Sequence, residues 1–476
     1  MKKNVLRIYL LLLCLLPATA CEKFVNVPQP GTQIEEEKVF SSNETAISAM
    51  RGIYGEMLIM QASPYYTAVL TGLIGDELDY PTNEDEEEFY YHRINCGTNG
   101  YISQYWKLAY NYISRANVIF EKCSVSPSLD ASVKKQLMAE ALFIRAYWYL
   151  NLVNLFGDIP LALNSDYKAN AELSRTPVSD VYKQIIDDLI IARQQLSITY
   201  VKDSNLSIDA ERTRPNSACA GALLARAYLY DAKYAEAERA ASLVISNPAY
   251  KIESIQSAFL RTSQEAIWQF ALPTPNAMNI NTMEGFWFIL TNTPKNDHRT
   301  ALSKTLMDAF EAGDQRRTYW TGVYIDTASV HPASYYYAYK YKIKNSTDPT
   351  EYTMMLRLAE LYLIRAEARV HLGRYAEALA DINVLRKRAG LFLYTLNNTQ
   401  ISQANLLKLI MKERQVELFT EQGHRWFDLK RSGSCDAVME ALALNNNNFW
   451  KPEYKLLPFP KAETLLNPNL QQNPGY

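Results

Sequence analysis

The 476-residue chain carries 49 Lys and Arg against 51 Asp and Glu, a formal charge of −2. Without a basic excess there is no field to track a nucleic-acid backbone, which excludes that class of partner. None of the six cysteines falls in a C-x-x-C spacing, so a zinc site of that kind is excluded as well.

The chain opens with a positive segment, Met1-Lys2-Lys3 and Arg7, and then runs I-Y-L-L-L-L-C-L-L over residues 8–16. That apolar run is well short of the roughly 20 residues a membrane-spanning helix needs. Small residues then lead to a cysteine in Pro17-Ala18-Thr19-Ala20-Cys21, which resembles the lipobox of bacterial lipoproteins. The resemblance implies that residues 1–20 are a signal peptide removed on export. It also implies that Cys21 carries the lipid, with more than one acyl chain giving a stable anchor. Loss of three positive charges with the signal takes the formal balance from −2 to −5. Cys14 leaves and Cys21 is consumed, so Cys96, Cys123, Cys219 and Cys435 remain, with three possible pairings between which the sequence does not choose. No later segment has about 18 uninterrupted apolar residues.

Residues 21–40 read as an anchored tether, in which Pro28, Pro30 and Gly31 block regular structure. A single domain is expected over 41–476. Its apolar periodicity predicts helices over 43–60, 101–122, 131–156, 178–197, 216–230, 233–246, 302–311, 353–372, 375–389, 403–422 and 424–431. Two helix pairs, 216–246 and 353–389, share the tetrapeptide Y-A-E-A at Tyr234–Ala237 and Tyr375–Ala378. Both resemble tetratricopeptide repeats, whose helices need small residues where they cross, here Ala225, Ala237, Ala366 and Ala378. Segments 101–122, 131–156 and 178–197 supply further degenerate units.

Residues 76–100 and 247–350 differ in kind: they are long, weakly periodic and rich in Tyr, Asn, Pro and Gly. Ala266-Ile267-Trp268-Gln269-Phe270 reads as a strand there. Long loops on a helical scaffold are where binding resides. The acidic run Glu84–Glu88 is expected to face solvent, and it lacks the alternation that wraps calcium. The chain contains no G-x-S-x-G, H-E-x-x-H or G-x-x-x-x-G-K-[ST] pattern, and its five histidines are mutually isolated. No enzyme, metal or cofactor reading follows. The densest ionic cluster, Glu413-Arg414, Glu417, Glu421, His424-Arg425, Asp428 and Arg431, is interleaved with Val416, Leu418, Phe419, Trp426, Phe427 and Leu429. Charges on a buried helix must be paired, so a salt-bridge network is expected rather than catalysis.

That segment, K-E-R-Q-V-E-L-F-T-E-Q-G-H-R-W-F-D-L-K-R-S-G over 412–433, resembles the hallmark of the SusD/RagB family, with Gln422 as an insertion. R-A-Y-W-Y-L-N-L-V-N-L-F-G-D-I-P-L at 145–161 is similar to the family's [YF]-G-D-[IV]-P-L segment. The Trp106, Tyr110, Ile113, Ala116-Asn117 pattern and the ending K-L-L-P-F-P-K-A-E-T-L-L-N-P-N-L-Q-Q-N-P-G-Y agree too. The resemblance implies a mostly α fold, about four tetratricopeptide-like helix pairs in a right-handed superhelix, with an irregular loop-rich part packed on one side. It implies an outer-membrane lipoprotein on the cell surface that acts as a lid over a SusC-like TonB-dependent transporter. Such proteins capture oligosaccharides without catalysis, and one branch captures peptides instead. No cofactor is implied.

Sugar rings present weakly apolar faces edged by hydroxyls, so their capture needs exposed flat aromatics beside amide, carboxylate and Arg groups. The two irregular regions offer Tyr80, Tyr90, Tyr91, Tyr101, Trp287, Trp320, Tyr324, Tyr335, Tyr336 and Tyr337 as aromatic candidates. Asp76, Asn83, Asn99, Asn292, Asn296 and Arg299 are the polar ones. Trp106, Trp148, Trp268 and Trp426 lie in periodic or motif segments and are assigned to the core.

Overall fold

A computed structural model describes residues 36–272, 278–328, 332–445 and 448–476. The signal segment, Cys21 and nearly all of the tether lie outside the described residues. In chain order the main elements are α1 (Asn43–Ile59), α2 (Pro64–Ile74), β1 (Leu78–Asp79), α3 (Glu84–Tyr90), α4 (Gly100–Val125), α5 (Ala131–Phe156), α6 (Val178–Gln195), α7 (Ser217–Tyr230) and α8 (Tyr234–Ile245). There follow β2 (Ala266–Phe270), α9 (Met283–Phe288), β3 (Ala301–Leu302), α10 (Lys304–Ala309), α11 (Gln315–Trp320), β4 (Thr321–Asp326), β5 (Ala333–Ala338) and β6 (Thr353–Arg357). The C-terminal part is α12 (Leu358–His371), α13 (Tyr375–Arg388), α14 (Gln403–Leu418), α15 (His424–Arg431) and α16 (Cys435–Asn445).

The helices stack as a tetratricopeptide-like ladder. In sequence, α4 packs on α5, α5 on α6, α6 on α7, α7 on α8, α8 on α12, and α12 on both α13 and α14. Ala225, Ala237, Ala366 and Ala378 are all fully buried, so the small residues of the two Y-A-E-A units sit where the helices cross. Polar N-caps fix several starts: Ser42 on α1, Ser63 on α2, Asn99 on α4 and Asn216 on α7 each accept a backbone N–H with the side chain.

Besides the short α3, α9 and α11, two longer helices escape the sequence pattern. Ten of the 11 residues of α2 are buried, so it has no polar face and no period to betray it. The other is α16. Conversely, residues 353–357 are a strand, not the start of a helix. Thr353–Arg357 is buried throughout and pairs antiparallel with Ala266–Phe270, which is the predicted strand. Trp106, Trp148, Trp268 and Trp426 are core residues. Cys96, Cys123, Cys219 and Cys435 are free thiols.

At the centre of the scaffold lies a buried ionic network organised by Glu417. Its carboxylate receives Arg316 at 3.0 Å, Arg357 at 2.5 Å and Arg388 at 2.5 Å. Arg316 also reaches Asp314 (2.8 Å) and Glu413 (2.6 Å), while Arg357 reaches Glu265 (3.0 Å) and Glu421 (2.8 Å). Arg386 bridges Glu413 to Glu311, and Lys340 joins Glu421 at 2.5 Å. Burial by itself would raise the Glu417 carboxyl, but Arg388, Arg357 and Arg316 hold it well below the usual range. A second cluster ties α15 to its neighbours through Arg414–Asp428 (2.6 Å), Arg431–Asp428 (2.6 Å) and the Arg431–Glu367 pair, with Arg226–Glu360 (2.6 Å) joining α7 to α12. The inserted Gln422 takes part as well, donating to the Met355 carbonyl at 2.8 Å from a left-handed backbone with φ 48°.

Removing one partner of a buried ionic network leaves the others uncompensated. Glu417→Gln takes from three guanidinium groups the carboxylate they share, leaving the buried network short of one negative charge, and is expected to cost about 3–5 kcal/mol in urea denaturation. Arg239→Ala, which breaks an exposed 3.9 Å pair with Glu236, is expected to cost less than about 1 kcal/mol.

Candidate functional site

The two irregular regions, far apart in sequence, are stitched together by short antiparallel pairing. Leu78 and Asp79 of β1 pair with Leu302 and Ala301 of β3, and β3 packs against β5. Two aromatic faces result. They adjoin one another, since Pro64 at the start of α2, Phe288 of α9 and Ala338 of β5 border one small interior void.

The first face is built from α2, α3, α4 and α9. Tyr65 lies 6.3 Å from Trp287 in a stacked arrangement and 5.3 Å from Tyr66, which in turn lies 5.7 Å from Tyr101. Asn83 caps α3 and donates to the Tyr101 hydroxyl at 3.3 Å. The Arg299 guanidinium stands 5.5 Å from the Trp287 ring centroid and 5.3 Å from that of Phe286. Burial, with the nearby Glu86 carboxylate second, pushes the Tyr101 hydroxyl up to about 12, so it is a neutral donor and acceptor. Trp287 Nε1 and Arg299 Nε are buried donors that bond to nothing among the described residues. Both atoms are closed off from solvent, like the equally unpartnered Nε1 of core Trp148 and Trp426, so what this face offers outward is the partly exposed rings of Tyr66, Tyr101, Phe286 and Trp287 and the exposed Asn83 amide.

The second face is the β4–β5 ribbon. Tyr324 pairs with Tyr335 and Gly322 with Tyr337, so these positions share one face, while Tyr336 opposite Val323 turns to the other and packs toward the core. A Cβ at Gly322 would come within 2.2 Å of the Tyr337 ring. The ring therefore lies directly across the glycine. Tyr80, 48% exposed, sets its ring edge against Tyr335 at 5.4 Å. Its φ of 64° is a left-handed backbone that bulky residues rarely adopt, the kind of strain that clusters at binding sites. The base of the ribbon, where Thr321 pairs with Ala338, is held in the ionic interior: Trp320, immediately before β4, lies beneath Arg388 and Lys340, and Lys340 follows β5 by two residues.

Asn83, Tyr101, Trp287 and Arg299 thus come together on one face, and Tyr80, Tyr324, Tyr335 and Tyr337 on the other. Asn292 and Asn296 form the exposed turn just before Arg299, bonding to each other at 3.4 Å. Tyr90 and Tyr91 pack edge to face on each other at 5.1 Å, with Tyr90 donating to Asp79 at 3.1 Å.

Three candidates belong to the interior instead. Trp320 is fully buried, its Nε1 donating to the Ile255 carbonyl at 2.8 Å. The Asp76 carboxylate is buried and held by Arg425 at 2.5 and 2.7 Å, which fastens this loop to α15. Asn99 is consumed as the cap of α4, donating to Glu88 at 2.8 Å. Nor does the acidic run 84–88 face solvent throughout. It is the first turn of α3, where acids are favoured, and Glu86 is buried, accepting from the Thr82 N–H and hydroxyl at 2.8 and 2.9 Å. Sequence reasoning missed Tyr65, Tyr66, Phe286 and Glu86. The paired tyrosines directly after Ser63-Pro64, a helix-start signal, were the available clue.

Comparison with known proteins agrees in order along the chain. Residues 291–476 match a family model described as the SusD family, and residues 24–229 match one described as starch-binding associating with outer membrane. SusD-like protein P2 of Formosa agariphila is 28% identical over the full length of both chains. The structure of a SusD superfamily protein from Bacteroides vulgatus superposes with TM-score 0.78 at 19% identity, covering 92% of this chain and all of the other. A structure described as a laminarin-binding SusD-like protein gives TM-score 0.70 at 23% identity, covering 91% and 100%. At these identities the structural likeness establishes the fold.

Beneath the two faces, Glu77 is buried beside Asp76. Burial first, and then the Asp76 charge, push its carboxyl from 4.5 up to about 8 against the pull of Arg425. The folded protein therefore holds a proton that the unfolded chain releases, and stability falls as pH rises from about 4.5 to 8. Glu77→Gln removes that fall. Thermal melts of the two proteins are expected to converge near pH 5 and to separate in favour of the variant by pH 8.

Proposed function

The chain belongs to the SusD/RagB family, and from that premise we propose that it is a non-catalytic, lipid-anchored outer-membrane protein facing the cell surface. It captures oligosaccharides or polysaccharide fragments and delivers them to a SusC-like TonB-dependent transporter. The observation that carries the reading is the first aromatic face, where the partly exposed rings of Tyr66, Tyr101, Phe286 and Trp287 lie beside the exposed Asn83 amide. Rings offer stacking to the faces of sugars, and the Asn83 amide and Tyr101 hydroxyl meet ring oxygens and hydroxyls. A family description naming starch and a fold relative described as laminarin-binding support the same ligand class. The ribbon tyrosines extend the surface for a longer chain.

Isothermal titration against a panel of plant, microbial and storage polysaccharides tests this. Trp287→Ala is expected to weaken binding of the recognised glycan at least tenfold, as loss of a stacking platform of about 1.4 kcal/mol would. Silence across the panel, with binding of peptides in its place, would overturn the glycan assignment in favour of the peptide-capturing branch.

The anchor has its own test. Cys21→Ser is expected to abolish labelling by a palmitate analogue and to shift the protein out of the membrane fraction; unchanged fractionation would count against lipid attachment. Protease shaving of intact cells is expected to release the folded domain.

A further inference from the structure

β1, whose end carries Tyr80, also borders a separate cavity of about 470 Å³. This lies within the size range of small-ligand pockets and is roomy enough for a sugar ring with part of its neighbour. Leu73, Leu78 and Leu442 supply apolar lining, and the polar lining sets the carboxylates of Asp76, Asp79 and Asp308 beside the hydroxyls of Tyr90, Ser303 and Thr305. The Asp79 carboxylate is steadied by the Tyr90 hydroxyl at 3.1 Å. Asp308, in α10, is exposed and paired with Lys304. His92 is only 6% exposed, and its Nε2 lies 2.9 Å from the Ile74 carbonyl, which can only accept. Nε2 therefore carries the hydrogen and the ring gives the cavity an uncharged wall; Nδ1 is buried and bonds to nothing among the described residues.

Positive charge is scarce by comparison. Lys304 is the single cation among the lining residues; it is largely exposed and already paired with Asp308. The remaining lining carboxylate, Asp76, is satisfied by Arg425. An occupant must therefore bring hydroxyl groups and no negative charge, because a carboxylate or sulfate here would face the Asp79 carboxylate without an unpaired cation to offset it.

We propose that this cavity is a second carbohydrate subsite that admits one neutral sugar residue, a terminus or branch of the captured glycan, and rejects uronic and sulfated sugars. The assignment rests on the glycan reading above and adds to it a charge selectivity that the aromatic faces, which stack on any ring, do not supply.

Thr305 lines the cavity and is exposed, so Thr305→Trp occludes the opening without disturbing the core. Saturation-transfer NMR on the mature protein with glucose, galactose and N-acetylglucosamine, beside galacturonate and galactose 6-sulfate, tests the proposal. At least one neutral sugar is expected to bind in the millimolar range, with affinity reduced tenfold or more in Thr305→Trp and an unchanged thermal melt. The two anionic sugars are expected to stay silent. Neutral-sugar binding that is indifferent to Thr305→Trp, equal binding of galacturonate, or no binding of any sugar would each overturn the subsite. Glucosamine and lysine run in parallel identify an amine pocket, which also overturns it. Polysaccharide binding that is sensitive to Trp287→Ala, measured on the same preparation, separates the outcomes. If it persists while the cavity fails, only the subsite falls; if it is absent, the glycan reading falls first.

Discussion

One carboxylate, Glu417, must stay ionised inside the protein, and much of the architecture follows from that requirement. Three arginines converge on it from three places in the chain: Arg316 in α11, Arg357 at the end of β6 and Arg388 at the end of α13. Each is held in turn by further acids. Removal of so many charges from water is unfavourable unless every partner is in place, so the network permits few alternative packings of these elements. The β4–β5 ribbon emerges from this region, with Trp320 and Lys340 seated under and within the network at its base. Its tyrosines therefore extend from a firmly tied root. That is a sound arrangement for recognition, where loosely held rings would lose affinity to ordering.

The repeated scaffold was readable from sequence because its causes are local. Periodic apolar residues and small crossing residues announce α7, α8, α12 and α13 within short windows. The acids of 413–428 could be assigned to a network because apolar residues are threaded among them. What escaped was set by distant contacts. Trp320 looks like any loop aromatic until the Ile255 carbonyl and three cations from other segments close around it. Asp76 reads as a free acid until Arg425, some 350 residues later, claims it. Residues 353–357 look helical because they continue the apolar pattern of α12, and only pairing with β2 makes them a strand.

The candidate site was legible in outline for the same reason. Composition marked the two irregular regions, since a run of tyrosines, asparagines and glycines builds neither a helix face nor a sheet core. Their convergence was invisible, because it rests on two residue pairs between β1 and β3. Tyr65 and Tyr66 were hidden by a helix without a polar face. Glu86 was hidden by the assumption that an acidic run is solvated; the Asn83 cap turns that run into a helix N-terminus, and Thr82 draws one of its carboxylates inward.

Gly322 has a consequence beyond its immediate fit. With no side chain beneath it, the Tyr337 ring lies close against bare backbone, where a single methyl group would come within 2.2 Å. A ring so seated is confined before any ligand arrives. Under the proposed reading, a sugar that met it would not have to select one orientation from several, since the loss of rotational freedom that usually accompanies contact with a tyrosine has already occurred during folding. The absence of one carbon thus converts part of the entropy of recognition into an entropy of folding, where the buried core can offset it.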